Sequence, residues 1–163
     1  MIKYFLSASL IFFTLIASAQ DEDLKSYLAN NTRPISIDHS QFDFAPSFYE
    51  NQVFFFGFVH GSVTPQLMDF ELLKDLNKNG VNYYAPEIDF SMAFFFQRYL
   101  DSGDEKFLNF ACAHYDIRVP QDASHQFRDK WIKIYDYNKS LPQNSQIKIL
   151  GFDKMYNADL ALT

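Results

Sequence analysis

The predicted fold depends on one stretch of the chain, Val53-Phe54-Phe55-Phe56-Gly57-Phe58-Val59-His60-Gly61-Ser62. Its first seven residues are mostly strand formers, with apolar side chains on both faces. This pattern is typical of a central strand in a parallel sheet, because helices cover both faces of such a sheet. Thr64 and Pro65 follow and favour a helix start, since Thr caps a helix and Pro suits its first turn.

Strands and helices alternate beyond this stretch. Further strands are predicted over Val81–Ile88 and Ile147–Asp153, with helices near 65–79, 92–100, 105–113 and 124–140. Ser91 and Ser124 are expected to cap the second and fourth of these helices, and residues 116–122 between them are expected to be irregular. The inner stripe of the last helix is predicted to be Phe127, Trp131, Ile134 and Tyr135. The order β-α-β-α-α-α-β predicts a three-layer α/β domain with a mainly parallel sheet. Three strands are too few to complete such a sheet, so we expect residues 53–163 to be the incomplete, N-terminal part of a larger domain. We also expect an open sheet edge to favour self-association.

The first nineteen residues have the pattern of a secretory signal peptide. Lys3 provides a positive start, residues 4–16 are largely apolar, and Ala17-Ser18-Ala19 predicts cleavage after Ala19. Because the apolar run is too short for a transmembrane helix, we expect a secreted or periplasmic protein with no stable membrane anchor. Residues 20–52 are predicted to be a polar lead-in with one short helix near Leu24–Leu28.

Composition excludes several classes of function. The chain has 163 residues, a net charge of −6 and no cluster of Lys or Arg, so nucleic acid is excluded as a partner. Cys112 is the one cysteine, which excludes an intramolecular disulfide and a cysteine-type zinc site. No dinucleotide-binding, phosphate-loop or serine-elbow motif is present, and no cofactor is predicted. No residue is assigned to a metal site, although one candidate histidine and scattered carboxylates neither require nor exclude a metal.

Polar residues follow each predicted strand, at His60, Glu87 and Asp153. The carboxyl ends of parallel strands meet at one rim of a sheet, where ligands bind. Histidine titrates near neutral pH, and a neighbouring carboxylate orients it, so His60 with Glu87 is a candidate general base and its support. Gly61 permits a sharp turn beside His60, and Gly61, Ser62 and Asp153 could contact a small-molecule substrate. Structural roles stay open for each: a loop hydrogen bond for His60, a surface ion pair for Glu87 and helix caps for Ser62 and Asp153.

Four motifs together carry a family resemblance. They are Phe56-Gly57-Phe58-Val59-His60-Gly61-Ser62, Tyr84-Ala85-Pro86-Glu87, Tyr99-Leu100-Asp101-Ser102-Gly103-Asp104, and Tyr137-Asn138 followed by Ile149-Leu150-Gly151-Phe152-Asp153. In this order and spacing the chain resembles the N-terminal half of the erythromycin esterase-like family. The resemblance implies a hydrolase in which His60 activates water for attack on an ester or lactone, with Glu87 supporting it.

Two alternatives remain beside the hydrolase. Gly57 stands where enzymes of that family carry a glutamate, and Asp69 stands near a position that is often basic. These departures favour a catalytically inactive binding or interaction protein. The second catalytic histidine of the family lies in its later half, so the chain could also be a gene fragment.

Overall fold

A computed structural model describes residues 22–32, 42 and 44–155. The chain divides into two compact units, Met1–Ile35 and Ser36–Thr163. Residues 22–31 of the first unit are helical and are named α1, and they include the short helix expected near Leu24–Leu28. The predicted signal peptide lies outside the described residues.

The second unit consists of helices around a very small sheet. Its helices are α2 (Val63–Lys78), α3 (Phe90–Ser102), α4 (Glu105–Arg118) and α5 (His125–Lys139), and its strands are β1 (Tyr83–Tyr84) and β2 (Lys148–Ile149). Short 3-10 turns occupy Pro46–Glu50, Pro120–Asp122 and Gln143–Ser145. None of the described helices is long and apolar enough to cross a bilayer.

The prediction of a three-layer α/β domain is wrong: the described residues form a mostly helical unit with a sheet of two strands. The largest error is the predicted first strand, residues 53–59. Its backbone makes no hydrogen bond among the described residues, and Phe55 is 96% exposed. A strand forms only where a neighbouring backbone completes its ladder, and sequence pattern alone cannot supply that neighbour.

The other two predicted strands do pair in parallel, Tyr83 with Lys148 and Tyr84 with Ile149. On the side of β2 away from β1, side-chain amides make the backbone hydrogen bonds that another strand would otherwise make. The Asn138 amide bonds both the N–H and the carbonyl of Ile147, at 2.8 and 2.9 Å, and the Gln97 side chain accepts from the Ile149 N–H at 2.8 Å. Because these amides satisfy the backbone groups, β2 needs no further strand on that side.

The helices follow local signals more closely. Ser124 caps α5, as predicted, by accepting from the Phe127 N–H at 3.2 Å. Asp89, rather than the predicted Ser91, caps α3. The expected inner stripe of α5 is buried at Phe127, Trp131 and Ile134 and borders the centre of the core.

The centre of the core is aromatic. Phe96 of α3 and Trp131 of α5 are fully buried and stack with ring centroids 3.7 Å apart. Aromatic pairs of this kind bury a large area and fix the orientation of the two helices. Cys112 is buried at the edge of this core, and burial raises its thiol pKa to about 12, which suits a structural role better than a nucleophilic one.

Candidate functional site

The candidate site is built around a histidine–aspartate pair. His60 Nδ1 lies 2.6 Å from Asp122 Oδ2. The His60 side chain is 48% exposed, whereas the Asp122 side chain is 2% exposed. The carboxylate accepts from Nδ1, which leaves Nε2 as the nitrogen for proton exchange with a water or ligand.

Local backbone geometry holds this pair in place. Asp122 ends the 3-10 turn Pro120–Asp122, which lies between α4 and α5. Its second oxygen, Oδ1, accepts from the Gly61 N–H at 2.8 Å. Gly61 has φ of 76°, a left-handed conformation that favours glycine, so its N–H can face the carboxylate while the chain turns into α2.

The pair raises the pKa of His60 above its usual 6.5. The largest cause is the hydrogen bond to Asp122, followed by the negative charge of Asp122, and Glu87 adds a smaller attraction in the same direction. A raised pKa favours the imidazolium form. The arrangement therefore stabilises the cation that a histidine base becomes after accepting a proton.

Tyr115 is buried and lies next to Asp122. Its ring stacks on Phe127 with centroids 4.0 Å apart, and its hydroxyl lies 3.5 Å from Asp122 Oδ2. Burial raises the pKa of Tyr115 well above its usual value, and the Asp122 charge adds to this effect. The hydroxyl therefore stays protonated and can donate to the carboxylate.

An ion pair joins the end of α4 to the segment that follows β2. Arg118, the last residue of α4, bonds Asp153 through its guanidinium, and both side chains are largely buried. The Asp153 backbone pairs with Asp89, which caps α3. Gly151 allows this approach, because a Cβ there would lie 2.3 Å from the Asp89 carbonyl oxygen.

The structure separates the residues that the sequence pointed to. Glu87 is exposed and makes no hydrogen bond or ion pair within the described part of the chain, although its charge reaches His60. Asp153 is paired with Arg118. Gly61 contacts Asp122, and Ser62 stands at the N-cap of α2 without a side-chain capping bond.

Sequence reasoning missed Asp122, Tyr115 and Arg118. Asp122 lies 62 residues after His60, in a stretch interpreted only as irregular. Nothing in its local sequence distinguishes it from a surface aspartate beside Pro120. Tyr115 and Arg118 belong to the last turns of α4, which the sequence predicted to end at Ala113.

A second polar cluster joins α2, β1 and α5. Lys130 is 5% exposed, and its Nζ donates to Asp69 Oδ2 at 2.7 Å and to the Tyr84 hydroxyl at 3.1 Å. The Tyr84 hydroxyl also donates to Asp69. Burial, and then the Asp69 charge, raise the pKa of Tyr84 well above its usual value. These three groups satisfy one another, as buried charges require.

No group of three or more metal-ligating side chains occurs within residues 22–32, 42 and 44–155. Comparison with known protein families, with curated proteins and with solved structures yields no match.

Proposed function

We propose that this chain carries the base-bearing part of an exported hydrolase of the erythromycin esterase-like kind. In this proposal His60 activates a water molecule for attack on an ester or lactone. The observation that supports it is the 2.6 Å contact between half-exposed His60 and buried Asp122. The motif resemblance around His60 supplies the reaction class.

The chemistry follows from the two nitrogens of the imidazole. Asp122 accepts from Nδ1–H, so neutral His60 presents the lone pair of Nε2 to solvent. Nε2 takes a proton from water as the water oxygen attacks the acyl carbon. The resulting imidazolium is stabilised by Asp122 and, more weakly, by Glu87. The same proton can then return to the leaving alcohol.

The N-terminal end of α2 carries a partial positive charge, which is complementary to the negative charge that develops during ester hydrolysis. The helix begins at Val63, three residues after His60, and the Ser62 side chain makes no capping bond. The N–H groups of a first helical turn lack intrahelical partners and favour negative charge. In our proposal the Val63 and Thr64 N–H groups face the oxyanion that forms during acyl transfer.

A catalytically inactive binding protein is the second candidate. Its supporting observation is that Arg118 pairs with Asp153, while Gly57 has no side chain to contribute. His60 with Asp122 would then bind an anionic or hydrogen-bonding ligand without turnover. This candidate predicts ligand binding that depends on His60 but no hydrolysis.

Hydrolysis of a nitrophenyl ester and of a macrolide lactone by the purified full chain distinguishes the two candidates. For the hydrolase we expect His60→Ala to abolish turnover and Asp122→Asn to lower it about a hundredfold or more. His125→Ala is the matched control, because His125 is an exposed histidine at the start of α5 that makes no hydrogen bond or ion pair with His60 or Asp122 within the described residues. Turnover that survives His60→Ala would contradict the hydrolase proposal, and turnover by the wild-type chain that His60→Ala abolishes would exclude the binding protein.

A further inference from the structure

Residues 53–59 are a strand-forming segment whose backbone has no strand partner among the described residues, although the Phe54 ring contacts Phe48. Seven consecutive residues carry no charge, and their backbone makes no hydrogen bond within the described residues. Phe55 is 96% exposed, Val59 77% and Val53 65%. A contiguous apolar stretch of this kind marks an interaction surface, because leaving it in water is unfavourable.

The two-stranded sheet has one closed edge and one open edge. On the β2 side, Gln97 accepts from the outward N–H of Ile149. On the β1 side, the Asn82 and Tyr84 carbonyls accept from β2, so the backbone groups of Tyr83 and Ala85 face away from β2. Tyr83 is 58% exposed, and no described element pairs with this edge. An open edge is a template for an added strand.

We propose that residues 53–59 of one copy of this chain add as a strand to the β1 edge of a second copy. A two-fold dimer would exchange two such strands, one from each copy, so both segments and both edges become paired. Each chain therefore supplies both the strand to be added, residues 53–59, and the β1 edge that receives a strand.

The charge distribution favours a second copy as the occupant. The chain carries a net charge of −6, so two copies repel each other over most surfaces. Neither residues 53–59 nor residues 81–85 contain a charged side chain. These two segments can therefore meet without repulsion or desolvation of an unpaired charge, and apolar burial stabilises the contact.

Sedimentation of the full chain over a range of concentrations tests this dimer. We expect wild-type protein to dimerise reversibly. Phe55→Lys places a charge in the exchanged strand, and Ala85→Pro removes an N–H from the open edge without touching the β1–β2 bonds. We expect each substitution to raise the dimer dissociation constant about tenfold or more. Because Phe55 is nearly fully exposed, its replacement leaves the folding of a single copy intact, and circular dichroism verifies this.

Ile117→Lys is the matched control, since Ile117 is 81% exposed on α4, away from both segments in sequence. It should leave the dissociation constant unchanged. A wild-type monomer at every concentration overturns the proposal, as does a dimer that either test substitution leaves unchanged. Equal weakening by Ile117→Lys also overturns it. As a second measurement, amide hydrogen exchange should be slowed within residues 53–59 at high concentration and not at low concentration.

Discussion

Asp122, buried between α4 and α5, accepts a 2.6 Å hydrogen bond from Nδ1 of half-exposed His60, although 62 residues separate them. The Gly61 N–H bonds the other oxygen of the same carboxylate at 2.8 Å. One buried acid thus anchors both the side chain and the following backbone at the start of α2. The pair orients the imidazole and sets its protonation, whether or not the protein is a hydrolase.

Asp122→Asn should lower the pKa of His60. The hydrogen bond and the charge of Asp122 are the two largest causes of its raised pKa, and an amide keeps the shape while removing the charge. An NMR titration of the imidazole protons measures the change. Asp129→Asn removes an exposed charge from α5 and is the matched control. An unchanged His60 pKa in Asp122→Asn would mean that the pair is not formed in solution.

The pair should make stability depend on pH. The folded pKa of His60 lies above 6.5, its usual value, which also applies to the unfolded chain. The folded state therefore binds the proton more tightly, and this contribution is fully present below pH 6.5 and is lost as pH rises through the folded pKa. We expect His60→Gln to reduce the free energy of unfolding more on the acid side of this window than on its alkaline side. Denaturant unfolding at both sides measures the difference, and equal losses would contradict the linkage.

Lys130→Met should destabilise the protein strongly. The substitution leaves the largely buried Asp69 carboxylate, whose side chain is 16% exposed, without its cation. Removing one partner of a buried ion pair costs up to about 3–5 kcal/mol. Lys133→Met, one turn further along α5 and exposed, should change the free energy of unfolding by less than about 0.5 kcal/mol. Urea unfolding of both variants makes the comparison. A similar, small effect of both would show that Lys130 is not held in the cluster.

Asn138→Ala should loosen the attachment of β2. Its amide satisfies the N–H and the carbonyl of buried Ile147, so removal leaves two buried backbone groups unpaired, each worth about 1–3 kcal/mol. Hydrogen exchange of the Ile147 amide should become faster, and the free energy of unfolding should fall. The exposed Asn79→Ala serves for comparison. Persistent protection at Ile147 would argue against this role of Asn138.

Gly103→Ala should be destabilising, whereas Gly57→Ala should be neutral. Gly103 ends α3 with φ of 70°, and a Cβ there would lie 2.2 Å from the Tyr135 hydroxyl. The left-handed conformation alone costs about 1–2 kcal/mol for a residue with a Cβ. A Cβ at Gly57 meets nothing within 4 Å. Thermal unfolding compares the two variants, and equal melting temperatures would contradict the assigned cap.

Structural roles account for two of the motifs that carry the family resemblance. In one motif, Gly103 ends α3 and Asp104 caps α4. In another, Asn138 holds Ile147. In these two motifs the matching residues cap helices or hold a strand in place, so they do not by themselves indicate a catalytic role. The resemblance therefore supports the proposed reaction most directly at His60, whose imidazole has a buried partner.

Local sequence determined the helices of this protein. The Ser124 cap, the Gly103 stop and the apolar stripe of α5 are signals that act within one or two turns, so they hold whatever packs nearby. Tertiary structure decided the rest. Residues 53–59 have every local feature of a strand, but their backbone has no hydrogen-bond partner in the described part of the chain, and strand formation depends on such a partner. Likewise, imidazole chemistry marked His60 as a candidate base, but packing of the turn before α5 selected Asp122, rather than Glu87, as its partner, because proximity across 62 residues is a property of the fold.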